Sequence, residues 1–353
     1  MLLALVSASW AGTLTVHMLD VGQGDAILME TPAGDTILID AGPKKAKVYQ
    51  QLKTLGVDEL DLVFASHAHA DHIGGMQDVV ENLRVREYID SGMPHTTQGY
   101  ANLMRAVADE NIPARRAMEG EVIELDDGIR IHVLWPGQSY LRGTRSDLNS
   151  NSVVLRVEHG QDCILLMGDA EEPTEHKLNQ QGLGPCGVLK VAHHGSDHST
   201  SPAFLRSVQP EIALISAGVD NRYGHPGEST LLNLQRAEAA IYRTDFWGTV
   251  TLESSGKGVE VVDGRPWWEP GGAAVKETVA PIALHDTGPA PLPKPAPAPE
   301  PAPAPEAPPA VAPAALSGVR NVDQRAQDDS PQPQGWWARR RQRRQERRKE
   351  SSR

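Results

Sequence analysis

The sequence predicts a layered α/β domain over the first two-thirds of its 353 residues. Apolar runs of strand length alternate with stretches whose apolar positions recur at helical spacing. The pattern occurs twice, in two halves of similar organisation, and several of the apolar runs end in His or Asp. Alternating strands and helices favour a layered α/β fold over an all-β sandwich.

The first half opens with strands. Leu14, Val16 and Met18 alternate as in a half-buried strand. Residues 26–30 and 36–39 are predicted to form a hairpin, because the turn residues 32–35 separate two apolar runs. Helical spacing follows at residues 44–56, 73–83 and 101–111, and residues 62–66 are a predicted buried strand.

The second half repeats this organisation. Its predicted strands are residues 153–157, 164–167, 188–192 and 212–216. Its predicted helices lie near residues 172–180, 202–207 and 230–239. A final strand pair around Ile241 and Val250 is expected to complete the domain, which we place at residues 13–265.

Charge is distributed very unevenly. Residues 336–353 hold nine Arg or Lys against Glu346 and Glu350, a local +7, so a net charge of −12 leaves −19 on the rest of the chain. A body this acidic does not attract polyanions by its own field. Any affinity for nucleic acid is therefore expected to come from bound metal and from this basic tail.

The C-terminal third differs in composition. Residues 289–313 contain 12 prolines in 25 positions, which favours a stiff polyproline II spacer. We predict a disordered Pro/Ala-rich linker at residues 266–335 and a basic tail at 336–353. The tail, with Trp336 and Trp337, is a candidate binder of nucleic acid or of an anionic envelope polymer. A solvated end without a partner is the alternative.

The N-terminus and the cysteines bear on location. Residues 1–12 combine an apolar run with a small-x-small pattern, which we interpret as the remainder of a signal peptide, with an ordinary first strand as the alternative. Export is therefore predicted, and a cytoplasmic location is the alternative. No apolar run reaches the roughly 18 residues of a transmembrane helix. Cys163 is predicted to be a buried packing residue, and a disulfide with Cys186 is the alternative.

The densest chemical pattern lies at residues 66–75. It places His67, His69, Asp71 and His72 directly after an apolar strand, and so at one edge of a sheet. Imidazole and carboxylate groups suit zinc, manganese or iron, and such a set can divide between two adjacent ions. A polar loop that is merely rich in His is the alternative.

Together with Asp40 upstream and Asp169 and His194 downstream, this motif resembles the metallo-β-lactamase superfamily of binuclear hydrolases, whose fold is a four-layer αβ/βα sandwich. Finer motifs at residues 19–26, 149–152, 166–169, 189–196, 223–226 and 243–250 are similar to the hydrolase domain of ComEC-type DNA-uptake proteins. A Lys-x-x-His-His-Gly-Ser pattern is shared with phosphorylcholine esterases of the superfamily, which favours phosphodiester chemistry. No part of the sequence resembles the membrane channel of ComEC proteins, so transport is not implied.

The resemblance implies a metal site of two divalent ions, Zn²⁺ or Mn²⁺, which share a hydroxide nucleophile. Their implied ligands are His67 and His69 for one ion, Asp71, His72 and His194 for the other, and Asp169 as the bridge. The implied catalytic residues are Asp71, His193, which would face the substrate phosphate, and His225, which would protonate the leaving oxygen or bind phosphate. For His225, a structural role at the start of the next helix is the alternative.

The resemblance also implies supporting residues. Asp40 would orient a ligand His, with a plain turn Asp as the alternative. Asn149 and Asn151 stand where many superfamily members have a third His, which would leave one coordination position open. Further candidates for supporting or substrate-binding roles are Asp25, Tyr223 and Arg243.

The predicted function is therefore a metal-dependent phosphodiesterase or nuclease that acts on DNA or another phosphodiester. One alternative is a small-substrate hydrolase that acts on a lactone, a thioester or a phosphocholine ester. The second alternative is a non-catalytic surface protein that binds DNA or envelope polymer, with a structural metal. Structural zinc sites are usually closed by four protein ligands, which argues against the second alternative.

Overall fold

A computed structural model describes residues 12–125 and 128–270. Eighteen strands lie within these residues: β1 (Leu14–Met18), β2 (Ile27–Glu30), β3 (Thr36–Ile39), β4 (Glu59–Leu60), β5 (Leu62–Ala65), β6 (Arg84–Val85), β7 (Tyr88–Asp90), β8 (Ala114–Arg116), β9 (Val122–Glu124), β10 (Arg130–Trp135), β11 (Val154–His159), β12 (Asp162–Leu166), β13 (Val188–Lys190), β14 (Ile212–Ile215), β15 (Ala240–Arg243), β16 (Val250–Ser254), β17 (Val259–Asp263) and β18 (Pro266–Trp268). The predicted basic tail and most of the predicted signal remnant and linker lie outside the described residues.

The strands form two eight-stranded mixed sheets and one small pair. The first sheet has the order β17-β16-β1-β2-β3-β5-β7-β8, and the second has the order β18-β15-β14-β13-β12-β11-β10-β9. Strands β3, β5, β7 and β8 run parallel in the first sheet, as do β12 to β15 in the second. The remaining pairs are antiparallel, apart from the separate parallel pair β4 and β6.

Helices cover one face of each sheet. They are α1 (Val48–Thr54), α2 (Ala70–Ile73), α3 (Met76–Asn82), α4 (Gln98–Asp109), α5 (Glu172–Gln180), α6 (Pro202–Val208), α7 (Glu228–Arg236) and α8 (Thr244–Trp247). Residues of α1 to α4 share a core with the first sheet, and residues of α5 to α7 share a core with the second.

Both faces of the central strands are buried. In β5, Val63 and Ala65 belong to the core shared with α1 to α4, whereas Leu62 and Phe64 point to the other face and are buried as well. The two sheets meet between β11 and β16, where the Nδ1 of His159 lies 2.8 Å from the Oγ of Ser254. The predicted four-layer αβ/βα sandwich is therefore confirmed.

Two predicted helices are broken. The helix expected at residues 44–56 is a short 3₁₀ turn followed by α1, because Lys47 between them has a left-handed backbone with φ of 52°. The helix expected at 73–83 is divided into α2 and α3 at Gly74 and Gly75. The backbone of Gly74 packs closely against Pro43. A Cβ added to Gly74 would lie only 3.0 Å from the Cα of Pro43.

Two other expectations were wrong, and the end of the domain differs. Strands β15 and β16 do not pair, because β15 lies between β14 and β18 in the second sheet and β16 lies beside β1 in the first. Cys163 is buried as predicted but forms a disulfide with Cys186. Strand β18 ends at Trp268, beyond the expected end at residue 265.

Each described helix is too short or too polar to cross a bilayer.

Candidate metal centre

The candidate ligands lie on loops that follow strands of both sheets. Asp40 follows β3, the loop of residues 66–69 follows β5, and Asp169 follows β12. His193 and His194 come after β13, and the loop with His225 comes after β14. The backbone joins the two halves here, because the N–H of Val153 donates to the carbonyl of Ser66 at 2.8 Å.

His72 is oriented from behind by Asp40. The Nδ1 of His72 donates to the Oδ2 of Asp40 at 2.7 Å. The same carboxylate accepts from the backbone N–H of Ser66 at 2.7 Å and from its hydroxyl at 2.6 Å. Because Nδ1 carries this hydrogen, Nε2 is the atom of His72 that points into the cluster, and it would bind an ion after losing its own proton.

One group of atoms has the spacing of a metal site. The Nε2 of His72 lies 3.2 Å from the Oδ1 of Asp169. The Nε2 of His194 lies 3.6 Å from the same oxygen and 3.5 Å from the Oδ2 of Asp71. Bonds of about 2.0–2.2 Å around a tetrahedral ion place neighbouring ligand atoms about 3.3–3.6 Å apart. We refer to Asp71, His72, His194 and the Oδ1 of Asp169 as centre A.

Centre A also contains buried polar atoms that form no hydrogen bond with any described residue. They are the Nε2 of His72, the Nε2 of His194 and the Oδ1 of Asp169. Burying such groups without a partner is costly. A cation between these atoms would satisfy all three, so the residues of centre A fit a divalent metal ion.

A second group lies on the other side of Asp169. The Nε2 of His67 is 3.8 Å from the Oδ2 of Asp169, and it is 2.9 Å from the Nδ1 of His69. The hydroxyl of Ser66 lies 3.1 Å from the Nδ1 of His67, which again leaves Nε2 facing the site. We refer to His67, His69 and the Oδ2 of Asp169 as centre B. It is looser than centre A.

His193 and His194 point to different parts of the site. Both have left-handed backbones, with φ of 49° and 55°, which is uncommon for residues other than glycine. His194 turns towards centre A, where its Nδ1 donates to the carbonyl of Ser216 at 3.0 Å. His193 turns towards centre B, with its Nε2 3.7 Å from the Oδ2 of Asp169 and 3.3 Å from the Nδ2 of Asn149.

Asp25 and Lys190 lie beneath centre A. Both side chains are buried and form an ion pair, and the ammonium group also donates to the carbonyl of Gly168 at 3.3 Å. The Oδ1 of Asp25 lies 3.3 Å from the Nδ1 of His194. Burial alone would raise the pKa of Asp25, but Lys190 and His194 outweigh it and lower the pKa to about 2.

The carboxylates hold protons on two of the histidines. Burial acts to lower the pKa of His194, but Asp169 and Asp25 outweigh it and raise the pKa to about 9. Asp169 and Asp40 likewise raise the pKa of His72 well above its ordinary value, against the effect of burial. In return, His72, His194 and His193 keep the pKa of Asp169 well below its usual range despite burial.

Other histidines are kept neutral. Burial, with repulsion from His72, holds the pKa of His67 well below its ordinary value. Burial also lowers the pKa of His69. For His225, burial followed by the nearby His193 and His194 lowers the pKa to about 4. A neutral imidazole at this position is a hydrogen-bond donor at neutral pH, and not a strong acid.

Three of the supporting candidates lie at different distances from the cluster. Asn149 faces His193, as described above. Asn151 instead fastens its own loop, since its side chain bonds to both the N–H and the carbonyl of Leu141, each at 2.9 Å. Arg243 is occupied by the carboxylate of Asp245, with contacts of 2.9 and 2.6 Å. The structure does not bring Asn151 and Arg243 into the centres.

The cluster includes residues to which the sequence assigned no role. Lys190 is the Lys of the Lys-x-x-His-His-Gly-Ser pattern, and its place in an apolar strand was a usable signal because lysines are rarely buried without a partner. Glu171 lies 3.4 Å from the Nδ1 of His193, and the ring of His95 lies 5.9 Å from that of His69. Neither residue belongs to a local motif that would have marked it.

Comparison with known proteins identifies a family. Residues 19–219 match the family described as the metallo-beta-lactamase superfamily. The match contains centres A and B in full. It covers more than half of the chain.

Three curated relatives are similar over most of the described chain. ComE operon protein 3 of Bacillus subtilis is 30% identical over 255 residues, which cover 67% of this chain and 32% of the relative. Recombination protein 2 of Haemophilus influenzae is 30% identical over 267 residues, 72% of this chain and 31% of the relative. Competence protein ComA of Neisseria gonorrhoeae is 31% identical over 254 residues, 69% of this chain and 33% of the relative. The matched region is about a third of each relative.

Proposed function

The chain belongs to the metallo-β-lactamase superfamily of metal-dependent hydrolases, and from this premise we propose that it hydrolyses phosphodiesters and that DNA is its substrate. The observation that carries the proposal is the arrangement around Asp169. One carboxylate oxygen faces the unpartnered nitrogens of centre A, and the other faces the histidines of centre B. This arrangement supports Asp169 as the bridge between two ions.

Two divalent ions, Zn²⁺ or Mn²⁺, would supply Lewis acidity that activates water and offsets the charge of a phosphodiester. Asp71, His72 and His194 would hold one ion, and His67 and His69 would hold the other. Asp71 has 32% of its side chain accessible, whereas the side chains of His72 and His194 are almost fully buried, so substrate can approach centre A on that side.

The residues beyond the ligands fit an anionic oxygen. The Nδ2 of Asn149 and the ring of His193 lie side by side next to Asp169, and each has N–H groups to donate. Glu171 contacts His193 from the other side, and Arg145 offsets the charge of that carboxylate by pairing with it. Two hydrogen-bond donors at this position suit the non-bridging oxygens of a phosphodiester better than a neutral lactone.

Two considerations favour DNA among the phosphodiesters. The relatives include proteins named for competence and recombination, and these names support a substrate of DNA. The exposed guanidinium of Arg222 lies over Tyr223, which stacks on His225, although residues 1–335 carry a net charge of −19. A small-ester hydrolase has less need of cations outside its metal centre.

We assign the protein to an oxidising compartment, outside the cytoplasm. Cys163 and Cys186 form a disulfide, and disulfides persist mainly in the periplasm and in secreted proteins. This agrees with the signal remnant expected from residues 1–12. To test the assignment, the protein is sought in periplasmic and culture fractions. There, Cys163 and Cys186 should not react with a thiol reagent, because they are joined in a disulfide.

The function is tested with the full chain, stripped of metal and reloaded with Zn²⁺ or Mn²⁺. The substrates are bis(p-nitrophenyl) phosphate, labelled single-stranded DNA and the matching duplex. Asp169→Asn is compared with Asp58→Asn, a control that removes an exposed carboxylate paired with Lys53. We expect metal-dependent cleavage that falls at least a hundredfold in Asp169→Asn and is unchanged in Asp58→Asn.

Two results would contradict the proposal. If the loaded protein contains about two ions per chain by mass spectrometry but cleaves no phosphodiester, the substrate is a small ester or lactone. If Asp169→Asn keeps full activity, Asp169 does not bridge the ions.

A further inference from the structure

A row of rings leads from centre A to the surface. The ring of His225 lies 5.4 Å from that of His193 and 6.3 Å from that of His194, measured between centroids. Tyr223 stacks on His225, with centroids 5.8 Å apart and planes inclined by 26°. The row therefore begins at a candidate metal ligand and ends at Tyr223.

Tyr223 is exposed although nothing in the fold requires it. Its exposed fraction is 53%, among the highest of the large apolar side chains in the described residues. The sequence contains only 6 Tyr, so a solvent-facing one beside the metal centre is a notable use of this residue type. An exposed aromatic ring on a surface that needs none suggests a ligand.

Asn221 holds the loop that presents Tyr223. Its Oδ1 accepts from the backbone N–H of Tyr223 at 3.2 Å and from that of His225 at 3.0 Å. Its Nδ2 donates to the carbonyls of Gly218 and His225. The ring is thus carried by a closed loop, and a platform fixed in this way loses little freedom when a ligand stacks on it.

Arg222 adds a charge to the platform. Its guanidinium lies 4.8 Å from the centroid of the Tyr223 ring and donates to the Tyr223 hydroxyl at 2.7 Å. Both side chains are exposed. The hydrogen bond with Tyr223 raises the pKa of Arg222, so the guanidinium stays charged.

We propose that Arg222 and Tyr223 form a subsite for an unpaired nucleobase of single-stranded nucleic acid. The base stacks on Tyr223, and Arg222 moves from the ring to a neighbouring phosphate. An aromatic face combined with a cation is how proteins bind single strands without sequence preference. In a duplex the bases are paired and stacked inside the helix, so the subsite selects single strands. This inference rests on the proposed function.

The test compares two oligonucleotides of equal length, an oligothymidylate and its abasic counterpart, which keeps the phosphates but lacks the bases. Their affinities for the full chain are measured by fluorescence anisotropy in chelator, where no cleavage occurs. We expect the wild-type chain to prefer the thymine strand by about 5- to 100-fold, the contribution of one or more stacked bases. The same preference is expected in cleavage rates after metal is restored.

The variants separate the ring from the charge. Tyr223→Ala should bring the preference close to 1, whereas Tyr223→Phe should keep it within about twofold because the aromatic face remains. Arg222→Ala should weaken the binding of both strands. It should also make the negative slope of log affinity against log salt shallower by about 0.7. Trp247→Ala and Arg206→Ala are the matched controls, since they remove an exposed aromatic ring and an exposed cation elsewhere.

The subsite and the proposed function can fail separately. If Tyr223→Ala retains the wild-type preference for the thymine strand, the subsite is overturned, whatever the cleavage assays show. If the preference depends on Tyr223 but the loaded protein cleaves no phosphodiester, the subsite stands and the proposed hydrolysis fails. Unfolding temperatures of the variants show whether an effect is due to misfolding.

Discussion

Lys190 and Asp25 form an ion pair whose side chains are only 1% and 2% exposed. Within the described residues, Lys190 is the buried ammonium group that pairs with a carboxylate of the site. Asp25, in turn, contacts the Nδ1 of His194, so the pair supports a ligand of centre A from below. A buried charge left without its partner is strongly destabilising.

Replacing Lys190 by methionine should therefore destabilise the metal-free protein by about 3–5 kcal/mol, measured by urea unfolding. The double variant with Asp25→Asn should recover part of this loss, because the uncompensated carboxylate is removed. Lys53→Met is the control, since Lys53 pairs with Asp58 at the surface and its loss should change stability little. Equal effects of Lys190→Met and Lys53→Met would show that the buried pair contributes nothing special.

Asp40 should affect metal binding through His72. Its carboxylate fixes the Nδ1 hydrogen of His72 and makes Nε2 more basic. Asp40→Asn should weaken metal binding by about 10- to 100-fold in competition with a chromogenic chelator. Asp58→Asn should leave it unchanged. An affinity of Asp40→Asn equal to that of wild type would mean that His72 is not a ligand oriented by Asp40.

Metal binding should release protons at neutral pH. The pKa of His194 is raised to about 9 in the metal-free protein, so its imidazole is protonated at pH 7 and must lose that proton before Nε2 can bind an ion. The apparent affinity should therefore increase with pH, by about tenfold per unit for each proton released, and level off above pH 9. Calorimetry in two buffers of different ionisation enthalpy counts the protons. A heat that is independent of the buffer would contradict the assignment.

The disulfide should contribute to stability. Cys163 and Cys186 are separated by 23 residues, and closing a loop of this length stabilises a fold by about 3 kcal/mol. Replacing both cysteines by alanine should lower the free energy of unfolding by about that amount in oxidising buffer. Dithiothreitol should have a similar effect on the wild-type chain and none on the double variant. No effect of the reductant on wild type would indicate that the cysteines are free in solution.

Local patterns predicted much of the fold. Strand β3 has the bounds expected from its apolar run, and α5 spans the predicted residues 172–180. Strands β7 to β10 were not predicted, since three of the four have only three residues and mix charged with apolar side chains. The placement of β15 and β16 in different sheets depends on distant partners, which no local pattern records.

The candidate site shows the same division. The His and Asp residues of centres A and B were visible because each follows an apolar strand or lies in a dense motif. The roles of the supports behind them were not visible. Lys190 and Glu171 lie close in sequence to His194 and Asp169, but their partners Asp25 and Arg145 come from distant segments. The structural role of Asn151 was not visible in the sequence either. Its side chain donates to the carbonyls of Leu141 and Asp147, which lie in a loop without a repeating pattern.

Asp169 and His194 follow strands of the second sheet, whereas Asp40 and residues 67–72 follow strands of the first. An ion in centre A would therefore fasten the two sheets to each other. Ligand binding to the native state alone stabilises a protein by RT ln(1 + [L]/Kd), about 2.7 kcal/mol at a free concentration one hundred times Kd. The stability of the sandwich should therefore rise and fall with the concentration of free metal around the protein.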